Sequence, residues 1–255
     1  MINITGNTAR KRALAHHLRQ QIVLERGMVR TAHGLFARQG AAAARVYAAS
    51  ADESAALFAL QAFDKEVLAL LTGHYTRVAE AFGGEVLAAL KSAHILLETK
   101  DALGMFRTNL LRWNRQQGAA KVTRLQDATR RILQAAIRRG FRASETQEGI
   151  AKRILQRVGD FGSARARVVA RTETHNEANF AQLEAAKSTS VVQEKEWLSA
   201  EDSRTRESHA EADGQRRPLK ESFDVGGSKL DRPGDPGGSA GEIINCRCTM
   251  IMHTG

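Results

Sequence analysis

The first two thirds of the chain has a helical pattern. Residues 1–217 contain no proline, and alanine and leucine dominate the windows between glycines, so the sequence favours long helices. Apolar residues recur every three or four positions over about residues 8–50. A second amphipathic helix is predicted after Ser50-Ala51-Asp52, where either Asp52 or Ser50 can cap it, and a third over about residues 85–103. We expect helices to break or bend at Gly27, Gly34, Gly40 and Gly83-Gly84.

Further helices are predicted between residues 122 and 186. Val122–Arg139 has one apolar and one basic face, and Gly140 is expected to end it. Ser144-x-x-Gln147 has the form of a capping box for the next helix, which should break near Gly159–Ser163. The last helix places three polar side chains on one face, which could line a site or make ordinary hydrogen bonds and ion pairs: Arg171, His175 and Asn179.

Beyond residue 190 the pattern changes to an alternating one. Val191–Leu198 is predicted to form a strand, and Ile243–Met252 is predicted to pair with it. On that second strand Cys246 and Cys248 would share one face, and Arg247 would point the other way. Turns and an extended loop are indicated at Gly226-Gly227, Pro233-Gly234 and Pro236-Gly237-Gly238.

These patterns predict the fold class and a domain boundary. The expected fold is a mainly α N-terminal helical arm followed by a small α+β C-terminal domain with long loops. We place the basic, proline-free arm at residues 1–141 and the C-terminal domain at residues 142–255. A chain of 255 residues is long enough for either one large domain or two ordinary ones.

Charge divides the chain into a basic and an acidic part. The net charge of +10 combines +14 over residues 1–170 with −4 over residues 171–255. Arginine supplies most of the positive charge, and its planar guanidinium suits phosphate and carboxylate partners. The sequence therefore predicts contact with DNA or an acidic protein surface, although a solvated surface helix would have the same composition. The candidate nucleic-acid-binding residues are Arg124, Arg130, Arg131, Arg138, Arg139 and Arg142.

Trp113 offers a second, weaker indication of nucleic-acid binding. An aromatic side chain interleaved with arginines could stack on single-stranded nucleic acid. The alternative is a partly buried tryptophan with solvated arginines around it. The neighbouring arginines are Arg107, Arg112 and Arg115.

Composition excludes several classes of protein. Apolar residues make up 42% and charged residues 26%, which is typical of a soluble folded protein. No window approaches eighteen consecutive apolar residues, and residues 1–6 lack the basic-then-apolar order of a signal peptide, so no membrane segment is predicted. Cys246 and Cys248 are too close to form a disulfide framework, which favours a reducing compartment.

The C-terminal part contains a candidate metal site. His209, Asp213, Cys246 and Cys248 are residue types that bind Zn²⁺, and four such ligands would complete a tetrahedron. Against zinc, Cys-x-Cys is a less usual spacing than Cys-x₂-Cys.

A polar network without any cofactor is the alternative, and it is the interpretation we favour from the sequence. In that network Asp202 would pair with Arg204 or Arg206, and His209 with Asp213. Such contacts would fix long loops that have few backbone hydrogen bonds of their own.

The polar residues of the C-terminal part form one ordered set. The set is Ala170-Arg171-Thr172-Glu173, Trp197, Asp202, Arg204-Thr205-Arg206, His209, Asp213-Gly214-Gln215, Pro233-Gly234-Asp235-Pro236 and Glu242-x-x-Asn245-Cys246-Arg247-Cys248. This order resembles the C-terminal domain of the phage Mu protein F-like family, over about residues 142–252. The combined set is far more specific than any one of its parts.

The resemblance implies a structural role in a virus particle. Proteins of this family are minor head proteins of tailed phages and prophages, so the expected function is that of a minor capsid protein in head morphogenesis. The resemblance also implies a virion location in the capsid interior near the portal, following assembly in the host cytoplasm. The expected partners are the portal protein and packaged DNA.

Two other functions stay open. A toxin-like or nuclease-type enzyme could use His209 with Asp213, Glu173 or Glu242 as an acid–base pair, and a non-virion DNA-binding protein would also need a basic arm. No nucleophile elbow, P-loop or glycine-rich nucleotide fingerprint is present in the sequence. The chain ends at Gly255, soon after the last motif, so we expect no appended catalytic module and no enzymatic activity.

Overall fold

The computed structural model describes residues 1–93 and 100–255. Its helical part consists of α1 (Asn7–Ser50), α2 (Glu53–Phe58), a 3-10 helix (Ala59–Phe63), α3 (Asp64–Ser92), α4 (Lys100–Arg142) and α5 (Gln147–Lys187). The remainder consists of β1 (Val192–Leu198), α6 (Glu207–Glu211), β2 (Arg216–Pro218), β3 (Phe223–Val225), β4 (Ser228–Leu230), α7 (Ala240–Ile243) and β5 (Thr249–Thr254). The predicted fold class is confirmed: a long helical region precedes a small region with a few antiparallel strands.

Several glycines that were expected to interrupt helices lie inside them. The predicted breaks in the first helix are wrong, because α1 continues for 44 residues through Gly27, Gly34 and Gly40. A glycine costs only about 1 kcal/mol relative to alanine inside a helix. Burial of apolar residues on the same helix, such as Phe36, outweighs that cost.

Close packing explains two of these glycines. A Cβ atom at Gly83 would lie 2.3 Å from the ring of Phe106, so glycine allows α3 and α4 to approach there. The predicted start of the third helix near residue 85 is therefore wrong, because α3 continues to Ser92. The predicted end of that helix near residue 103 lies within α4. Residues 94–99 of the predicted helix are outside the described residues. A Cβ atom at Gly140 would lie 2.5 Å from Ile150, and α4 ends two residues after this glycine.

Helix capping follows one prediction and departs from another. Asp52 is the N-cap of α2, and its side chain accepts a hydrogen bond of 2.8 Å from the backbone N–H of Ser54. The predicted capping box of Ser144 and Gln147 is wrong, because Thr146 accepts the hydrogen bond from Gly149. Ser144 has a positive φ of 52°, which places it outside the helix. The predicted break at residues 159–163 is also wrong, since α5 is continuous there.

The Cα positions cluster into two compact units. The first unit contains Met1–Glu25, His74–Trp113 and Arg171–Gly255, and the second contains Arg26–Gly73 and Asn114–Ala170. Each has buried aromatic side chains of its own, with Trp197 and Phe82 in the first and Phe36 and Tyr47 in the second. Distant helix segments, and not consecutive parts of the chain, make up each unit. The division at residue 142, which falls within the second unit, stays a prediction.

The strands of the first unit form a three-stranded antiparallel sheet and a hairpin. The sheet has the order β2-β1-β5, with Trp197 opposite Met250, while β3 pairs with β4. The predicted first strand is confirmed as β1. The predicted partner, Ile243–Met252, is wrong in its first half, because β5 begins at Thr249. Residues 240–243 form a helical turn, and Asn245 has a φ of 57°, so the chain before β5 is not extended.

Among the described residues, no helix combines the length and the apolar character that crossing a membrane requires.

Candidate functional site

One histidine and two cysteines of the C-terminal motif meet in the first unit. His209 lies on α6, Cys246 and Cys248 precede β5, and none of the three is more than 2% exposed. The Nδ1 atom of His209 is 3.3 Å from the Sγ atom of Cys248 and 3.5 Å from that of Cys246. This group is the set of potential metal ligands within the described part of the chain. The structure therefore brings together three of the four ligands predicted from the sequence.

Glu242 holds the other side of the His209 ring. Its Oε2 atom lies 2.8 Å from Nε2 of His209 and accepts a hydrogen bond of 2.9 Å from the hydroxyl of Ser208. A Cβ atom at Gly226, where φ is 54°, would lie 2.6 Å from Oε1 of Glu242, so glycine makes room for this carboxylate. The ring of Trp197 packs edge-on against His209 at a centroid distance of 5.5 Å. These contacts fix the orientation of the imidazole.

The two thiols have pKa values shifted in opposite directions. The hydrogen bond from Cys246, together with the contact to His209, lowers the pKa of Cys248 to about 5 in spite of its burial. Burial raises the pKa of Cys246 well above its usual value, and the neighbouring Cys248 raises it further. One thiolate per pair is therefore favoured near neutral pH. The thiolate is the form of cysteine that binds metal ions.

The fourth predicted ligand, Asp213, is engaged elsewhere. Its Oδ1 atom accepts a hydrogen bond of 2.7 Å from the backbone N–H of Ser199, and its Oδ2 atom accepts one of 2.9 Å from Arg10. The predicted pairing of His209 with Asp213 is wrong, because Glu242 occupies that position. Asp213 instead joins the N-terminal end of α1 to the end of β1.

Asp202 pairs with Arg247 and not with the arginines predicted for it. Two nitrogens of Arg247 donate to its carboxylate, one of them at 2.6 Å. Arg204 donates only its backbone N–H, at 2.9 Å, and the hydroxyl of Thr205 accepts from the backbone N–H of Asp202 at 3.0 Å. Arg206 donates to carbonyl oxygens at and just beyond the end of α7. The loop is thus tied to a residue 45 positions later in the chain.

The Pro233-Gly234-Asp235-Pro236 segment packs against α5. Gly234 has a φ of 76°, and a Cβ atom there would lie 2.7 Å from the ring of His175. Asp235 accepts hydrogen bonds from the backbone N–H groups of Asp231 and Gly237, at 2.8 and 2.9 Å. The segment is therefore a turn that requires glycine on both conformational and steric grounds.

Trp113 is half-buried within the first unit. Its ring lies 4.5 Å from that of Phe180 and 6.1 Å from that of Tyr75. A cation near this ring is the buried Arg232, whose guanidinium carbon is 5.8 Å from the ring centroid. The structure agrees with the interpretation of Trp113 as a packing residue. Of its sequence neighbours, Arg107 and Arg112 are exposed, and the side chain of Arg115 is outside the described residues.

The polar face of α5 makes ordinary structural contacts. Arg171 lies 3.7 Å from a carboxylate oxygen of Glu25. Asn179 donates to the backbone carbonyls of His175 and Cys248, at 3.1 and 3.3 Å. Burial lowers the pKa of His175 to about 3, with smaller contributions from nearby positive charges, first that of His209.

The remaining motif residues form turns or make hydrogen bonds that hold neighbouring segments in place. Gly214 has a φ of 73° in the turn after α6. The side-chain amide of Gln215 binds the backbone N–H and carbonyl of Asp224, at 2.8 and 3.2 Å, which holds β3 in place. In the Thr172-Glu173 pair, the carboxylate of Glu173 accepts a hydrogen bond of 2.5 Å from the hydroxyl of Tyr75.

The candidate nucleic-acid-binding arginines lie along α4. Arg124, Arg131 and Arg138 are exposed and spaced by seven residues, so they occupy one face of the helix over about 21 Å. Arg139 and Arg142 are exposed near the helix end. Apart from Arg130, which pairs with Asp127 at 3.1 Å, none of the six forms an ion pair within the described part of the chain.

Several important partners were missed from the sequence. Arg10, Ser208 and Arg232 were not singled out, and Glu242 was noted as a motif residue and a candidate acid–base residue but not as the partner of His209 in a polar network. Glu242 and His209 are 33 positions apart and Arg10 and Asp213 are 203 apart, so no local spacing signals either pair.

Two of the comparisons with known proteins point to phages. A family model described as "Phage Mu protein F like protein" matches residues 127–251. The minor head protein GP7 of Bacillus phage SPP1 is 33% identical over 119 residues, which are 46% of this chain and 38% of that protein.

A second relative is an enzyme. The NAD(+)–arginine ADP-ribosyltransferase EFV of Enterococcus faecalis is 36% identical over 86 residues, which are 32% of this chain and 18% of the enzyme. The matched part of the chain thus spans less than half the length of either relative. No solved structure matches significantly.

Proposed function

We propose that this protein, whose residues 127–251 belong to the phage Mu protein F-like family, is a minor head protein that acts in head morphogenesis. Within a phage or prophage it would lie in the capsid interior beside the portal and contact packaged DNA. The observation that supports the phage assignment most strongly is the family match together with the similarity to SPP1 GP7. Contact with DNA is argued from the charges on α4.

The arginine face of α4 is suited to a polyanion. Arg124, Arg131 and Arg138 have no carboxylate partner among the described residues, so their charges are directed to solvent. Arg131 and Arg138 donate only to carbonyl oxygens of their own helix, at 3.3 and 3.4 Å. Each arginine that meets a phosphate would release condensed counterions, which makes binding depend on salt concentration.

The DNA contact is tested by replacing Arg124, Arg131 and Arg138 with glutamine and measuring duplex binding at several salt concentrations. If all three meet phosphates, the slope of log K against log salt concentration should decrease in magnitude by about 2.7. The matched control replaces Arg12, Arg19 and Arg26, which are exposed and have the same seven-residue spacing on α1. An equal decrease in the control would contradict the assignment of the contact to α4, since net charge alone would explain it.

The portal association needs a separate experiment. The full chain is co-expressed with the portal protein of the same phage, and the portal oligomer is isolated by sedimentation. Co-sedimentation in fixed stoichiometry is expected. A chain that stays out of the portal fraction, yet binds duplex DNA by itself with a steep salt dependence, would identify a DNA-binding protein outside the virion.

The enzymatic alternative has less support. His209, Cys246 and Cys248 are almost fully buried, so this cluster is closed to a substrate in the described structure. The similarity to the ADP-ribosyltransferase covers 18% of that enzyme. These two observations favour a structural domain over a catalytic one.

A further inference from the structure

We propose that His209, Cys246 and Cys248 bind a structural zinc ion and that Glu242 positions the histidine for it. This site is independent of the proposed role in the phage head, because it follows from the geometry of the first unit alone. The sequence favoured a network without a cofactor and a ligand set that included Asp213. The structure points to a different set of three ligands with a carboxylate behind one of them.

The distances between the ligand atoms suit a tetrahedral metal ion. With Zn–N of about 2.0–2.1 Å and Zn–S of about 2.3 Å, the edge between nitrogen and sulfur in a tetrahedron is about 3.6 Å. The two observed distances from Nδ1 of His209 are 3.3 Å to Cys248 and 3.5 Å to Cys246. These two edges would therefore need to lengthen by only a few tenths of an ångström, and all three ligand atoms lie within 4.8 Å of one another.

The hydrogen bond to Glu242 leaves the correct nitrogen available. When Nε2 of His209 donates to Glu242, Nδ1 carries a lone pair that faces both sulfurs. Both sulfurs lie within 3.5 Å of this nitrogen. A metal ion placed between them would be bound by all three atoms. A carboxylate that orients a metal-binding histidine is a frequent arrangement around zinc.

The ligands come from two loop-rich segments that are far apart in the chain. Cys246 lies 37 residues after His209, and the intervening chain contains only short strands and short helices. A metal ion would join α6 to the segment before β5. Asp213 is held by Arg10 and Ser199, so a water molecule is the expected fourth ligand. Three protein ligands and a water are the usual set at catalytic zinc ions, but the burial of all three protein ligands closes this position to a substrate and favours a structural ion here.

The first experiment measures metal content in the full chain, purified without a histidine tag and under reducing conditions. We expect one zinc per chain by elemental analysis. Titration of the metal-free protein with Co²⁺ should give a thiolate-to-cobalt charge-transfer band with the intensity of two sulfur ligands. Because both measurements use the unaltered protein, they do not depend on whether a variant folds.

Variants then assign the ligands. Cys246→Ser and Cys248→Ser should each remove one sulfur from the cobalt spectrum and lower metal affinity. Glu242→Gln keeps all three ligands and should weaken zinc binding about 10–100-fold. The matched control is Asp213→Asn, which disturbs contacts to Arg10 and Ser199 but should leave the stoichiometry and the spectrum unchanged.

Three results would overturn the zinc site. The first is a zinc content well below one per chain together with no charge-transfer band in the reduced protein. The second is a full complement of zinc in the Cys246→Ser/Cys248→Ser double variant. The third is loss of the metal in Asp213→Asn but not in Glu242→Gln. The metal measurements and the portal experiment test separate proposals. A negative metal result therefore says nothing about portal binding, and failure to bind the portal would leave the metal content unchanged.

Discussion

His175 should make the stability of this protein decrease as the pH falls from 7 to 5. The side chain is 1% exposed, and burial, followed by positive charges from His209 and arginines nearby, lowers its pKa from 6.5 to about 3. In the unfolded chain the same imidazole binds a proton below about pH 6.5. The unfolded state therefore binds more protons than the native state between about pH 6.5 and 3, and stability is lost through this window as the pH decreases.

The magnitude follows from the difference between the two pKa values. Each pH unit well inside the window costs about 1.4 kcal/mol of unfolding free energy. Integration from pH 7 to pH 5 gives a loss of about 2 kcal/mol for this one group. His17 has a pKa lowered by burial as well and acts in the same direction, so the total loss should be larger.

The assay compares urea unfolding of the wild type and His175→Gln at pH 7 and pH 5, followed by tryptophan fluorescence. Both proteins are measured in the same metal-free, reducing buffer, so contributions from His17, the carboxylates and the thiols largely cancel in the difference. The wild type should lose about 2 kcal/mol more than the variant. If the two proteins lose the same free energy to within about 0.5 kcal/mol, a neutral buried His175 is not the cause.

Two further pairs of substitutions test packing, each by urea unfolding followed by circular dichroism. Trp197→Ala should cost about 3–5 kcal/mol because its side chain is completely buried, whereas Phe58→Ala, at a side chain that is 69% exposed, should change stability by no more than about 0.5 kcal/mol. Gly234→Ala should cost at least about 2 kcal/mol, because a methyl group would overlap His175. Gly227→Ala has the same φ of 76° and no atom within 4 Å, so it should cost only about 1 kcal/mol, and equal losses would contradict the steric argument.

The local pattern was informative about elements and about family. The absence of proline and the spacing of apolar residues predicted a helical first part, and alternation predicted β1. The N-cap Asp52 was also predicted correctly, because a cap depends on residues next to it in the chain. The order of polar residues from Arg171 to Cys248 identified the family that the comparison supports.

Local patterns did not predict the role of individual glycines or which side chains form pairs. Gly83 and Gly140 resemble helix breakers in sequence, but each allows another side chain, Phe106 or Ile150, to pack against its helix. Whether a glycine ends a helix or admits a neighbour depends on what lies across from it. That neighbour is supplied by another part of the chain.

The sequence alone determined which chemistry is present: a basic helical part, an acidic loop-rich part and a group of residues that can bind metal ions. Only the tertiary structure decided which of those residues meet. It placed Glu242 beside His209, where Gly226 leaves room for the carboxylate, and it engaged Asp213 with Arg10. Partners separated by tens to hundreds of positions are selected by burial and backbone geometry, which no local spacing encodes.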